Sequence, residues 1–202
     1  AATFGAECEA DLVAFAMERC PPGIDPLVPE PGVGSRARPA VARLQLIVPD
    51  RTGLPALDRY AKLQEGGRSR ITGYTEATRG CKHRCRHCPI VPIYGGQFRA
   101  VPADVVMADI AAQVAGGAEH LTFGDPDFFN GPAHALTVVE ALHGAFPELT
   151  YDVTIKVEHL LRHAALLPRL VETGCRFVTT AVESIDDGVL ERLQKGHTAA
   201  DF

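Results

Sequence analysis

The chain has 202 residues and a mass of 21.6 kDa, which allows one large domain or pieces of two and falls short of the roughly 250 residues of a complete eight-stranded βα barrel. Its 46% hydrophobic and 22% charged residues are globular usage and argue against a disordered, collagenous or coiled-coil protein. A formal charge of −5 gives no overall electrostatic case for nucleic acid or an anionic membrane, so any basic site must be local.

Residues 1 to 20 read as a short amphipathic helix carrying Leu12, Val13, Phe15, Ala16 and Met17 among acids. Pro21 to Pro39 is rich in proline and glycine and is expected to be an extended linker, the best domain boundary in the chain. Leu44 to Val48 is a short apolar run, and 55–63 a candidate short helix before the break at Glu65, Gly66 and Gly67. From Ile71 the pattern becomes regular. Strands are predicted over 71–78, 120–124, 150–157 and 175–182, with helices near 103–115, 133–145 and 160–172 and another after Ser184. Gly174 is the expected C-terminal cap of the third helix.

Four strand-helix units over residues 71–202 predict an α/β fold with a parallel sheet, open or barrel-like. Functional groups in such folds gather at the C-terminal ends of the strands. Those ends are Arg79 to Cys88, Gly124 to Asp127, Lys156 to His159 and Glu183 to Ser184, the polar and unusual positions of the sequence. No run approaches a membrane span and the first residues are acidic, so the cytoplasm is the expected compartment. The chain lacks an initiator Met and stops at KGHTAADF, so both ends read as cut.

Six cysteines do not form a disulfide framework here, because Cys81, Cys85 and Cys88 cluster while Cys8, Cys20 and Cys175 are scattered and read as small buried hydrophobes. The spacing C-x3-C-x2-C in a short loop after a strand gives three soft thiolates for one transition-metal group. An iron-sulfur cubane held by three thiolates leaves one iron open. A zinc knuckle completed by His83 or His87 is the alternative. Arg79, Lys82, Arg84, Arg86 and Arg99 accompany this loop without an acid between 79 and 99; they either offset a thiolate cluster and guide an acidic electron donor, or form a solvated face.

With TRGCKHRCRHCP after its first predicted strand, the chain resembles the radical S-adenosylmethionine (SAM) enzymes over residues 41–202. The resemblance implies a partial βα barrel in which Cys81, Cys85 and Cys88 hold a [4Fe-4S] cluster. It also implies that SAM chelates the fourth iron and is reductively cleaved to a 5′-deoxyadenosyl radical that abstracts hydrogen from a substrate. A flavodoxin or ferredoxin is the implied electron donor. By the same resemblance His87 stands where an aromatic residue touches adenine, and Gly124 with Asp125 stands where a Gly-Gly-Glu segment binds the SAM amino group. Glu183 and Ser184 stand where a polar residue after the fourth strand contacts the ribose or carboxylate, and Lys195 where a basic residue follows the next helix at the SAM site. GDPD is also a good turn in its own right, and Ser184 a candidate helix cap. Lys156 and Glu158, placed on one strand face by the period of two, are candidate SAM or substrate contacts.

The wording YTEATRGCKHRCRHCPIVPIYGGQFR with FGDPDFFNGPAHAL is most similar to radical SAM proteins that follow a cobalamin-binding-type domain, and to a subgroup named for a CUAEP or CCAEP tail. GAECEADL resembles the end of such an upstream domain. The expected organisation is therefore an upstream remnant over 1–20, a linker and lead-in over 21–70, and a core over 71–202 truncated before the six units usual in the family. Cobalamin is left open, since no ligating motif lies in this chain. A peptide, a small metabolite or a modified RNA base would each suit the family as substrate.

Overall fold

The computed structural model of the chain describes residues 12, 14, 15, 18 and 45–202. Leu12, Ala14, Phe15 and Glu18 are helical, while the expected linker at 21–39, Cys8 and Cys20 lie outside the described residues. Residues 45–50 have no regular structure, although Leu46 packs against the core. Of the short helix expected over 55–63 only the 3-10 turn Leu57–Arg59 forms.

Strand β1 (Lys62–Glu65) pairs antiparallel with β2 (Arg68–Thr75) through a tight turn at Gly66 and Gly67, whose φ values of 56° and 78° are the left-handed conformations such hairpins require. The boundary expected at residue 71 thus falls inside β2. β3 (Thr78–Gly80) follows, then α1 (Val91–Tyr94), and β4 (Phe98–Ala100) returns to pair antiparallel with β3. The cysteine loop is therefore closed at its base by its own two-stranded sheet.

Helix α2 (Ala103–Ala115), β5 (His120–Phe123), α3 (Pro132–Ala145), β6 (Thr150–Thr154), α4 (Val157–Arg162), α5 (Leu167–Glu172), β7 (Cys175–Thr179) and α6 (Asp187–Leu193) complete the described chain. The main sheet runs β1-β2-β5-β6-β7, with β2, β5, β6 and β7 parallel. It is a curled half-barrel, matching the expected four units. Alternation divides its faces: Leu121, Phe123, Tyr151 and Val153 are buried with Val106, Ile110, Val138 and Leu142 of α2 and α3. The other face carries the half-exposed Tyr74 and Phe177.

A charged pair stitches the lead-in to this body. Arg51 donates from Nε and Nη2 to the two carboxylate oxygens of the buried Asp109, at 2.7 and 2.9 Å. Gln113 bonds both the N–H and the C=O of Tyr74, filling the space left by Gly73. Gly174, at φ 102°, ends the segment after α5 as expected.

Candidate functional site

The parallel strands direct their C-terminal ends toward the cysteine loop, and a cavity of about 240 Å³ opens there. Cys81, Cys85 and Cys88 all line it, with Cys85 buried and the others half-buried, and none is in a disulfide. Burial pushes the Cys81 thiol up from its ordinary value. The loop docks on the end of α6: Arg86 N–H donates to Leu193 O at 3.0 Å, and Cys85 Sγ lies 3.7 Å from Gln194 O. Cys175, the other described cysteine, sits half-buried at the N-terminal end of β7, far along the sheet from this loop.

His87, Lys156, Glu183 and Lys195 line the same cavity. Glu183 Oε1 receives His87 Nε2 at 3.0 Å and Lys195 Nζ at 3.4 Å. Burial works against the Glu183 charge, but Lys195 and then His87 outweigh it and hold the carboxyl below its ordinary range. Glu183 also has φ 73°, a left-handed backbone outside any helix. Gln194 is likewise left-handed, but there the reason is the C-terminal cap of α6.

The other expected positions sit in settings of their own. β6 stops at Thr154, so Lys156 is the residue before α4 and Glu158 lies in that helix's first turn. The two still meet, Lys156 Nζ donating to Glu158 Oε2 at 2.7 Å. Gly124 does not line the cavity; a Cβ there would land on the Tyr74 phenol. Asp125 turns inward, accepting from Ala77 N–H at 2.9 Å and from the Thr78 hydroxyl, and burial raises its carboxyl to about 6. Ser184 accepts from Asp186 N–H, and it is Asp186, not Ser184, that caps α6 by accepting from Val189 N–H at 2.9 Å.

The sequence assigns no role to Asp127 or His159, yet both meet His83 at the cavity wall. Asp127 Oδ2 is 2.7 Å from His159 Nδ1 and 3.2 Å from His83 Nε2. The intervening Pro126 sets Asp125 and Asp127 on opposite sides of the turn, a choice that the pattern D-P-D leaves open. Burial opposes the charge of Asp127, but the two imidazoles, His159 first, hold its carboxyl down to about 2.

The three cysteines on one cavity, with the buried Lys156 and Lys195 amines beside them, fit a thiolate-held cluster of negative charge. The model of the Radical SAM superfamily matches residues 75–202. The chain belongs to the radical SAM superfamily.

Among relatives of this radical SAM chain, ribosomal protein uS12 methylthiotransferase RimO of Desulfosudis oleivorans is 27% identical over 140 residues, covering 65% of this chain and 31% of that protein. A tRNA-2-methylthio-N(6)-dimethylallyladenosine synthase of Chlorobium luteolum is 24% identical over 155 residues, covering 72% and 34%. The chain thus spans about a third of the length of the curated relatives it matches. The radical SAM methyltransferase TsrM of Kitasatospora setae, solved with cobalamin and a [4Fe-4S] cluster, superposes with a TM-score of 0.54 at 22% identity, covering 64% of this chain and 24% of that one. That likeness shows the half-barrel fold. The family's cofactors are a [4Fe-4S] cluster and SAM. Among the described residues no helix is long and apolar enough to cross a membrane.

Proposed function

We propose that this chain is the catalytic core of a radical SAM enzyme, with Cys81, Cys85 and Cys88 holding a [4Fe-4S] cluster and the cavity beside them receiving SAM. The observation that carries the reading is the convergence of these three cysteines with His87, Glu183 and Lys195 on one strand-end cavity. Bound there, the cluster and SAM supply one-electron cleavage of a sulfonium C–S bond, yielding methionine and a 5′-deoxyadenosyl radical that abstracts hydrogen from a substrate.

The chain's own residues bind and orient. Glu183, held ionised by Lys195 and His87, offers acceptors to the ribose hydroxyls, and its left-handed backbone is the kind of local strain found at ligand clamps. His87 presents a ring to the adenine from the cysteine loop. Lys156, paired with Glu158, and Lys195 set positive charge near the SAM carboxylate and the thiolates. Gly124 and Asp125 act by placing their turn: Asp125 fastens the segment leading through Thr78 toward Cys81, and Gly124 makes room for Tyr74. Ser184 holds the turn into α6.

An acidic electron donor docks, in this reading, on the exposed Arg84 and Arg86 of the loop. Lys82 is not part of that surface, since its amine donates to the carbonyls of Phe129 and Asn130. Anaerobic reconstitution with iron and sulfide tests the reading. Cluster absorbance should appear in the wild type and be lost in Cys85→Ala; a colourless, zinc-loaded wild type would refute it.

A further inference from the structure

One row of side chains crosses the inner face of the half-barrel, the face turned away from α2 and α3. Tyr74 pairs in register with Thr122, Thr122 with Asp152, and Asp152 with Phe177. Partners in register share a face, so Thr122 and Asp152 stand between two half-exposed aromatic rings. Thr154, the next residue of β6 on that face, lines the cysteine cavity. Asp152 therefore lies two residues deeper, roughly 7 Å at the rise of a strand.

The Asp152 carboxylate is held in place without a cation to offset it. Asp152 is 7% exposed, and its Oδ1 accepts from His120 Nε2 at 2.9 Å and from the Thr122 hydroxyl at 2.7 Å. The Thr150 hydroxyl is 2.8 Å from His120 Nδ1 and 3.4 Å from Glu119 O, so its proton goes to the nearer nitrogen and the imidazole is a neutral donor. Among the described residues no lysine or arginine pairs with Asp152: Arg70 and Arg176 meet Glu65, Arg68 meets Glu119, and Arg51 is bound to Asp109. Oδ2 takes no hydrogen bond among them and is not sealed from solvent. A carboxylate this nearly buried gains from a positively charged partner.

Apolar space adjoins the row. Leu54, Leu57 and Tyr60 of the lead-in enclose a cavity of about 640 Å³ against Tyr74 and Thr122, the size of a small-molecule site. We propose that Asp152 anchors the substrate of this core, its Oδ2 accepting from a protonated amine whose apolar body extends past Thr122 into that cavity. The ring of Phe177 flanks the ammonium on the other side. An amine is selected over an alcohol or a neutral base because only the cation offsets the carboxylate charge. The anchor's place in a reaction rests on SAM cleavage at the cysteine loop: with the nitrogen fixed at Asp152, carbons a few bonds away reach the strand-end cavity where hydrogen is abstracted.

Titration of the full, 15N-labelled chain with 2-phenylethylammonium, read by amide shifts, tests this against 2-phenylethanol and 9-methyladenine. Saturable binding of the ammonium is expected, with shifts centred on Thr122, Asp152 and Phe177. It should be at least tenfold tighter than binding of the alcohol and at least tenfold weaker in Asp152→Asn, which keeps the shape of the side chain. The wild-type shifts and preference decide even where the variant does not fold. No saturable binding, shifts centred elsewhere, the alcohol bound within tenfold of the ammonium, a smaller loss in folded Asp152→Asn, or a preference for 9-methyladenine would overturn the anchor. The titration is run on protein without cluster or SAM, so failure of this anchor and failure of SAM cleavage are distinguishable.

Discussion

His87 Nε2 and Glu183 Oε1 lie 3.0 Å apart although 96 residues separate them in the chain. The contact fastens the exposed side of the cysteine loop to the segment after β7, across the mouth of the cavity. Both side chains are about a third exposed, at 31% and 32%, so the pair adds at most about 1 kcal/mol to stability and its importance is positional.

His87→Ala should therefore keep its cluster while its SAM affinity falls about three- to tenfold, a loss of under about 1.4 kcal/mol. Isothermal titration with SAM measures it. His87→Phe restores a flat ring without the Glu183 bond, so recovered affinity in that variant assigns the effect to stacking. Unchanged affinity in His87→Ala would remove His87 from the SAM site.

Gly124→Ala should destabilise the fold by about 1–3 kcal/mol, because its Cβ would occupy the position of the Tyr74 phenol. Tyr74 is half-exposed and can be shortened without opening the core. In the double variant with Tyr74→Ala the penalty should largely vanish, giving a coupling of about 1 kcal/mol or more by urea unfolding. Additive effects would show that Gly124 is needed for something other than the ring.

Arg51→Ala should cost about 2 kcal/mol, since it leaves the buried Asp109 carboxylate with Gln113 as its remaining side-chain partner. Urea denaturation reads this directly. A change below about 0.5 kcal/mol would mean that the lead-in contributes nothing to the half-barrel.

Burial, reinforced by Asp152, pushes the Cys175 thiol up to about 11. Near neutral pH it is almost entirely protonated, so alkylation should run on the order of a hundredfold slower than at a free cysteine. Because the thiolate is the nucleophile, the rate should rise about tenfold per pH unit and level only near the thiol's own pKa. Mass spectrometry of iodoacetamide-treated protein gives the rate. Labelling at neutral pH as fast as a free thiol would contradict the half-buried placement beside Asp152.

The four parallel strands and α2 are legible in the sequence because apolar alternation and helical spacing there answer to one packed core: 103–115 is the helix that forms. The β1–β2 hairpin is not, since Lys62–Glu65 shows no apolar run and its register rests on the two glycines of the turn. The three-residue strands that close the cysteine loop are too short to carry a pattern. In the site, local spacing reveals the cysteines, but which carboxylate of D-P-D reaches the cavity depends on backbone direction. His83 and His159 meet across 76 residues, a contact set by how α4 follows β6 and invisible to any local pattern.

The central claim is that the cysteine loop and its cavity cleave SAM. The most direct measurement is 5′-deoxyadenosine formed from SAM by the anaerobically reconstituted chain under a strong reductant, compared between wild type and Cys85→Ala. Product that scales with cluster content is expected in the wild type, and none in Cys85→Ala. A cluster-loaded wild type that makes no 5′-deoxyadenosine, or a Cys85→Ala protein that makes as much, would contradict it.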